Sequence, residues 1–247
     1  MLDGENDPLV MKARALANQK KDMRDGVNLL MDAARRDPDK LYYRAWISRL
    51  YADVFEGALA IKEADLVLQK KPDDPLSLCA KGKSLWETGK SKEGLDCLVR
   101  AQKMAPHSPY ILSQKARLET TLKMYREAVA DLDLILKIEP TDKIARSDQA
   151  LAQMALKDWQ GAATNLQYVV DNTGAASAKI CGRLGLCYLN LKDYKRAETA
   201  LLKGIANQPF MSECYEHLIR VYKETNQPAK AAEIQKKKDS VEKETKW

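Results

Sequence analysis

Three basic residues, Arg49, Lys83 and Arg117, stand 34 positions apart, and near them lie Tyr42, Trp46, Trp86, Tyr110 and Gln114. A column of cationic groups at one fixed interval can hold carboxylates by charge-assisted hydrogen bonds, and rings beside it can stack on a neighbouring group. The chemistry on offer is the gripping of an extended, carboxylate-bearing peptide. Asp53 and Glu87 lie among the same residues and temper the positive field. Catalysis finds little support. His107 and His217 are isolated, without the Cys, Ser or carboxylate constellation that a triad or a metal site needs. Cys181 and Cys187 are six apart, unlike a zinc spacing, and GRLG at 182–185 is helix interior instead of a phosphate loop behind a strand. The expectation is a non-enzyme with no metal and no cofactor.

The elements that would position such a column are repeated. Pro72, Pro106 and Pro140 are 34 residues apart, and the same step leads back to Pro38 and on to Gly174 and, after one inserted residue, Pro209. Each closes an apolar-periodic segment that reads as the second helix of a pair. A constant period of this length marks stacked helix pairs, because one pair cannot bury its apolar face alone. The expected organisation is one solenoid over 8–244, with units at about 7–38, 41–72, 75–106, 109–140, 143–174, 178–209 and 212–243. Residues 1–7 read as a frayed, flexible start and 245–247 as a tail. Asn172 and Gly174 suggest a left-handed helix cap, and the inserted residue there suggests a joint.

Alignment of the units exposes a packing rule. Gly26, Ala60, Gly94, Ala128, Ala162, Ala197 and Ala231 all stand twelve residues before the closing position. Seven small residues at one place imply close helix–helix approach. Twelve residues earlier the inner units hold Ser48, Gly82, Ala116, Ala150 and Gly185, whereas the outermost two hold Arg14 and Ile219. Those exceptions fall where a stack meets water instead of a neighbour.

Composition agrees with an all-helical chain. Of 247 residues 45% are hydrophobic and only 6% aromatic, so the core is expected to be mainly Leu, Ala, Ile and Val. The 41 basic and 35 acidic residues are interleaved, leaving a net charge of +6 and a mostly solvated charged surface. Five cysteines without a paired spacing read as free thiols of a reducing compartment, and the acidic start MLDGENDPLV carries no secretory signal. Cytoplasmic residence is therefore expected. No apolar run is long enough to span a membrane.

With these residues in hand, the chain resembles the tetratricopeptide repeat family. The sixth unit carries the likeness best, in Leu184-Gly185-x-x-Tyr188, Ala197, Leu201 where the family has Phe, and Pro209. The family's early Trp is replaced by Arg44, Leu78, Leu112, Arg146, Cys181 and Tyr215. Its later aromatic survives as Tyr51, Tyr188 and Tyr222 but gives way to Leu85, Glu119 and Gln153. The resemblance implies an all-α, right-handed superhelical solenoid of about seven antiparallel helix pairs, whose first helices line a concave groove for a peptide or partner helix. The two-carboxylate clamp that some members use for chaperone tails is largely missing. Lys179 and Arg183 fit its last places, but Ser113, Arg117 and Asp148 stand where Lys, Asn and Asn are required. Lys179 and Arg183 are thus read as a solvated pair or a secondary, independent anion site. The expected function is a protein-interaction scaffold or adaptor binding a partner with acidic groups across units two to four. Two alternatives stay open: single-stranded RNA on the basic and aromatic groove, and self-association through the end repeats, with Leu218 and Ile219 of the last unit and the apolar first helix as end-cap interfaces.

Overall fold

A computed structural model describes residues 2–18, 23–174 and 176–244; the tail at 245–247 lies outside them. The described residues form fourteen α-helices and no strands. They fall into two compact units, Met1–Pro140 and Thr141–Trp247. The division comes at Pro140 and not at the inserted residue near Gly174, which lies within the second unit.

The first unit holds four helix pairs: α1 (Pro8–Asn18) with α2 (Met23–Arg36), α3 (Tyr42–Asp53) with α4 (Gly57–Leu68), α5 (Pro75–Glu87) with α6 (Ser91–Met104), and α7 (Pro109–Thr121) with α8 (Tyr125–Ile138). Its first helices lie side by side, α1 on α3, α3 on α5 and α5 on α7. The second unit holds three pairs: α9 (Lys143–Ala155) with α10 (Trp159–Asp171), α11 (Ala178–Asn190) with α12 (Tyr194–Asn207), and α13 (Ser212–Glu224) with α14 (Pro228–Glu244). Within it α11 packs on α10, α12 and α13. No helix among the described residues is long and apolar enough to cross a membrane.

Six of the pairs, from α3–α4 to α13–α14, turn through one repeated device. Phe55, Gly89, Lys123, Lys157, Lys192 and Asn226 all have φ between 54° and 87°, the left-handed region. The next residue's N–H reaches back to the last helical turn, as from Lys90 to the Leu85 carbonyl at 2.9 Å and from Asp158 to the Gln153 carbonyl at 2.8 Å. The left-handed residue's own N–H bonds a nearer carbonyl, as from Gly89 to Trp86 at 2.9 Å. Both bonds satisfy carbonyls that the helix end would otherwise leave orphaned. The left-handed cap expected at Asn172 and Gly174 is absent; Asn172 has φ of −103°, and its side-chain Nδ2 donates to the Tyr168 carbonyl at 2.9 Å. Several helix starts carry a side-chain cap: the Asp74 carboxylate accepts from Ser77 N at 2.9 Å beside Pro75, and Asp142, Asp158, Ser177 and Asp193 cap their own helices.

All seven small residues of the packing rule are buried. Gly82 and Gly94 show why size matters there. A Cβ on Gly82 would lie 2.8 Å from the Gly94 carbonyl oxygen, and one on Gly94 would lie 2.7 Å from that of Gly82. The backbones of α5 and α6 touch, and no larger residue fits without separating them.

The family's missing aromatics also have a physical account. Two of the kept tyrosines donate from their hydroxyls to a residue of the preceding repeat's second helix, Tyr188 to Gln167 at 3.0 Å and Tyr222 to Glu198 at 2.7 Å. At Gln153 and Glu119, two of the places where it is lost, polar clusters take over. Asn165 Nδ2 donates to Gln149 at 2.7 Å and Gln153 at 2.9 Å, and its Oδ1 accepts from Arg146 Nη1 at 3.0 Å. Glu119 joins Lys115, which also donates to Asp131 Oδ2 at 2.7 Å, and Asp131 accepts from Gln102 Nε2 at 2.8 Å. Leu218 and Ile219 are buried in the core of the second unit, so they are not the exposed self-association patch expected of them.

Candidate functional site

The first-helix face of the first unit gathers part of the predicted set. Its centre is Asp53, at the C-terminal end of α3. Asp53 Oδ1 accepts from Lys83 Nζ of α5 and from the Tyr110 hydroxyl of α7, each at 2.9 Å, and Oδ2 lies 3.5 Å from Arg49 Nε one turn back. The Arg49 guanidinium sits 3.7 Å from the Tyr110 ring centre and 4.9 Å from that of Trp46. Arg14 of α1 places its guanidinium 4.9 Å from the same Trp46 ring. One carboxylate thus ties three neighbouring repeats together, and two cations flank one indole.

This placement depends on the 34-residue step. Arg49 and Lys83 occupy the same position of adjacent first helices, so stacked helices put them side by side; Tyr110 opens the next first helix. Burial then sharpens the electrostatics. It pushes the Tyr110 hydroxyl well up, helped by the negative charge of Asp53, and pushes the Cys79 thiol behind the site up to about 12. Burial also raises Glu87, which Lys83 opposes and Asp53 reinforces. Arg14 is pulled down by burial and by the like charge of Arg49, which Glu5 partly opposes.

Of the residues picked from sequence, Trp46, Arg49, Lys83 and Tyr110 come together. Tyr42 lies at the N-terminal end of α3, where its hydroxyl donates to Asp7 at 3.0 Å. Trp46 is wholly buried, with its Nε1–H donating 2.9 Å to the Asp3 carbonyl. Trp86 packs into the core of the unit, with Gly94 of α6 against its backbone. Gln114 is buried and Arg117 exposed. In the second unit Lys179 is exposed and Arg183 half-buried. Burial lowers Arg183, while the carboxylates of Glu213 and Asp148 act on it in the opposite sense.

Sequence reasoning missed Arg14, Lys71 and the segment before α1. It expected residues 1–7 to fray, yet residues 2–7 are held on this face. Asp7 Oδ1 accepts from Leu9 N at 2.8 Å and Val10 N at 3.3 Å, capping α1, while Oδ2 accepts from the hydroxyls of Tyr42 and Tyr43. Asp-Pro at 7–8 was a legible helix start. The contacts of residues 2–5 had no counterpart in the repeat and left no signal. Among the described residues no group of three His, Cys, Asp or Glu is placed to hold a metal.

Comparison with known proteins agrees with this architecture. A family profile described as tetratricopeptide repeat matches residues 147–212. No curated protein matches the chain. Among solved structures, MamA 41-end from Desulfovibrio magneticus RS-1 is 23% identical with a TM-score of 0.63, over 66% of this chain and 92% of its own. PilF from Pseudomonas aeruginosa is 16% identical with a TM-score of 0.69, over 85% and 95%. YrrB, described as having an unusual peptide-binding site, is 16% identical with a TM-score of 0.66, over 76% and 96%. At these identities the likeness is one of fold.

Proposed function

For this chain, a tetratricopeptide repeat protein, we propose the work of a non-enzymatic interaction scaffold that holds an extended peptide segment of a partner across α1, α3, α5 and α7. The observation that carries the reading is the junction at Asp53, where Arg49, Lys83 and Tyr110 from three successive first helices meet beside Trp46. A single repeat has no use for such a junction. A face that must present aligned aromatic and charged groups along a peptide does, because preorganised side chains lose less freedom on binding. The peptide-binding site of YrrB, a fold relative, supports the same use of the architecture.

Acidic peptides suit this face better than neutral ones, because Arg14, Arg49, Lys71 and Lys83 converge there. The secondary anion site at Lys179 and Arg183 is weaker in charge, since Glu213 and Asp148 act on Arg183. Replacing Arg49, Lys83 and Arg117 together by Ala tests the groove on an array of extended peptides graded in acid content. Capture of the acidic members should fall at least about tenfold, the cost of one charge-assisted contact, with the far-ultraviolet dichroism unchanged. Equal capture by both proteins refutes the groove. A salt titration addresses RNA: oligonucleotide binding that falls steeply with ionic strength, together with no peptide selectivity, favours nucleic acid.

A further inference from the structure

Residues 2–5 lie on that same face and satisfy its donors. The Asp3 carbonyl takes the Trp46 Nε1–H at 2.9 Å, and the Asp3 carboxylate pairs with Lys71. Gly4 adopts φ of +69°, and its backbone lies so close to Tyr42 that a Cβ there would be 2.2 Å from Cδ2 of the ring. Glu5 supplies the negative charge that acts on Arg14, and its Oε2 accepts from Leu2 N at 3.1 Å. Leu2 is 7% exposed. A hollow of about 230 Å³ continues beyond it, between Leu2, Glu5 and residues 104–109. The segment thus runs from α1 past α3 to the start of α7, touching elements of successive repeats as a bound peptide would.

Resting on the groove reading above, we propose that Leu2-Asp3-Gly4-Glu5, a turn closed by Glu5 N donating to the Leu2 carbonyl at 3.1 Å, is a built-in occupant of the groove, and that the partner's segment is a turn-forming peptide of the order apolar, acid, glycine, acid. Each position has its reason. The apolar residue fills the place of Leu2 beside the hollow; the first acid meets Lys71. Glycine is required because any side chain would strike Tyr42 in a left-handed backbone. The second acid offsets Arg14, which otherwise shares the Trp46 indole with the like-charged Arg49. Holding α1 in place does not need these four residues, since Asp7 caps α1 and takes both tyrosine hydroxyls by itself. Their contacts are also easily exchanged: the Asp3 and Lys71 side chains are 63% and 45% exposed. A tethered segment competes at an effective concentration on the order of millimolar. Against a ligand repeating its own contacts, with a Kd near 0.1 mM, that occupant would weaken binding about tenfold.

The test uses the whole chain and a labelled peptide of residues 2–10, LDGENDPLV. Gly4→Val evicts the cis segment by steric clash with the Tyr42 ring. The peptide should bind the Gly4→Val protein about tenfold more tightly than the parent. The same peptide carrying Val for its glycine should bind neither, and adding Lys71→Ala should weaken the gain. Acrylamide quenching that differs between Gly4→Val and Gly4→Val/Trp46→Phe should report Trp46 uncovered. A second variant lacking residues 2–5 should behave as Gly4→Val does. Equal binding of the peptide to parent and both variants, with helicity intact, overturns the cis occupant. In that case the groove still stands if arrayed acidic peptides lose capture with the Arg49, Lys83 and Arg117 replacements, and falls if they do not.

Discussion

Replacing Glu119 by Gln should make the end of the first unit more stable at neutral pH, contrary to the usual cost of breaking a buried ion pair. Glu119, Lys115 and Asp131 are buried together between α7 and α8, two acids against one base. Among the described residues Glu119 Oε2 has no hydrogen-bond partner. Burial pushes the Glu119 carboxyl up to about 7 from an ordinary 4.5; the charges of Asp131 and Glu127 add to this and Lys115 opposes it. A carboxyl raised in the folded state favours folding below its unfolded value of 4.5 and loses that contribution as pH climbs through about 7. At 1.36 kcal/mol per unit, the swing has a ceiling of about 3 kcal/mol. Gln carries no charge to desolvate, so the variant should match the parent near pH 4.5 and exceed it by up to about 3 kcal/mol at pH 8. Because the chain has two compact units, the suitable assay is local: hydrogen exchange of α7 and α8 peptides, corrected for intrinsic rates, at pH 5 to 8. Protection in the parent that is flat across this range, or a variant less protected at every pH, refutes the reasoning.

Gly82→Ala should cost about 1–2 kcal/mol, since overpacking against the Gly94 carbonyl costs about 1–3 and helix propensity returns up to about 1; urea unfolding of the first unit measures it. Lys192→Gly should stabilise the α11–α12 turn by about 1 kcal/mol, because Lys192 holds φ of 59° without glycine's freedom; a raised Tm of the second unit is the readout. Of the five thiols only Cys97 is part-exposed, and the rest are buried. A thiol reagent should therefore modify about one group per folded chain, and Cys97→Ser should abolish that fast phase.

The helices and their register were legible because a stack repeats its steric demands. A residue wedged between two backbones must be small in every repeat, so Gly26 through Ala231 announce themselves at a constant step. The turns were harder to read. All six described within-pair turns need a left-handed residue, but only Gly89 and Asn226 have types that signal one; Lys123, Lys157, Lys192 and Phe55 accept the strain because two backbone bonds hold each turn. Charges obey no such rule, since the period fixes where Arg49 and Lys83 stand but not what answers them. That answer came from Asp53, a residue which the sequence reading placed among them and counted against nucleic acid, and which in the structure accepts from Lys83 and lies beside Arg49.

The segment at 2–5 was illegible for a deeper reason. A repeat pattern reports only on residues bound by the repeat, and a ligand-like segment is by nature outside it. Its composition, short, acidic and glycine-bearing, is that of a chain terminus which packs nowhere, and also that of a peptide suited to a cationic and aromatic groove. The two readings separate only when the other side of the contact is known. Trp46 is the case in point: an indole with no exposed surface reads as core, yet its N–H needs a partner, and the partner is the carbonyl of Asp3. Removal of the segment leaves that donor unpaired at the bottom of a groove flanked by two guanidinium groups, a local cost of about 1–3 kcal/mol. On the proposed groove reading, the empty groove is the less favourable state, and occupation by the chain's own residues or by a partner's follows from that reading.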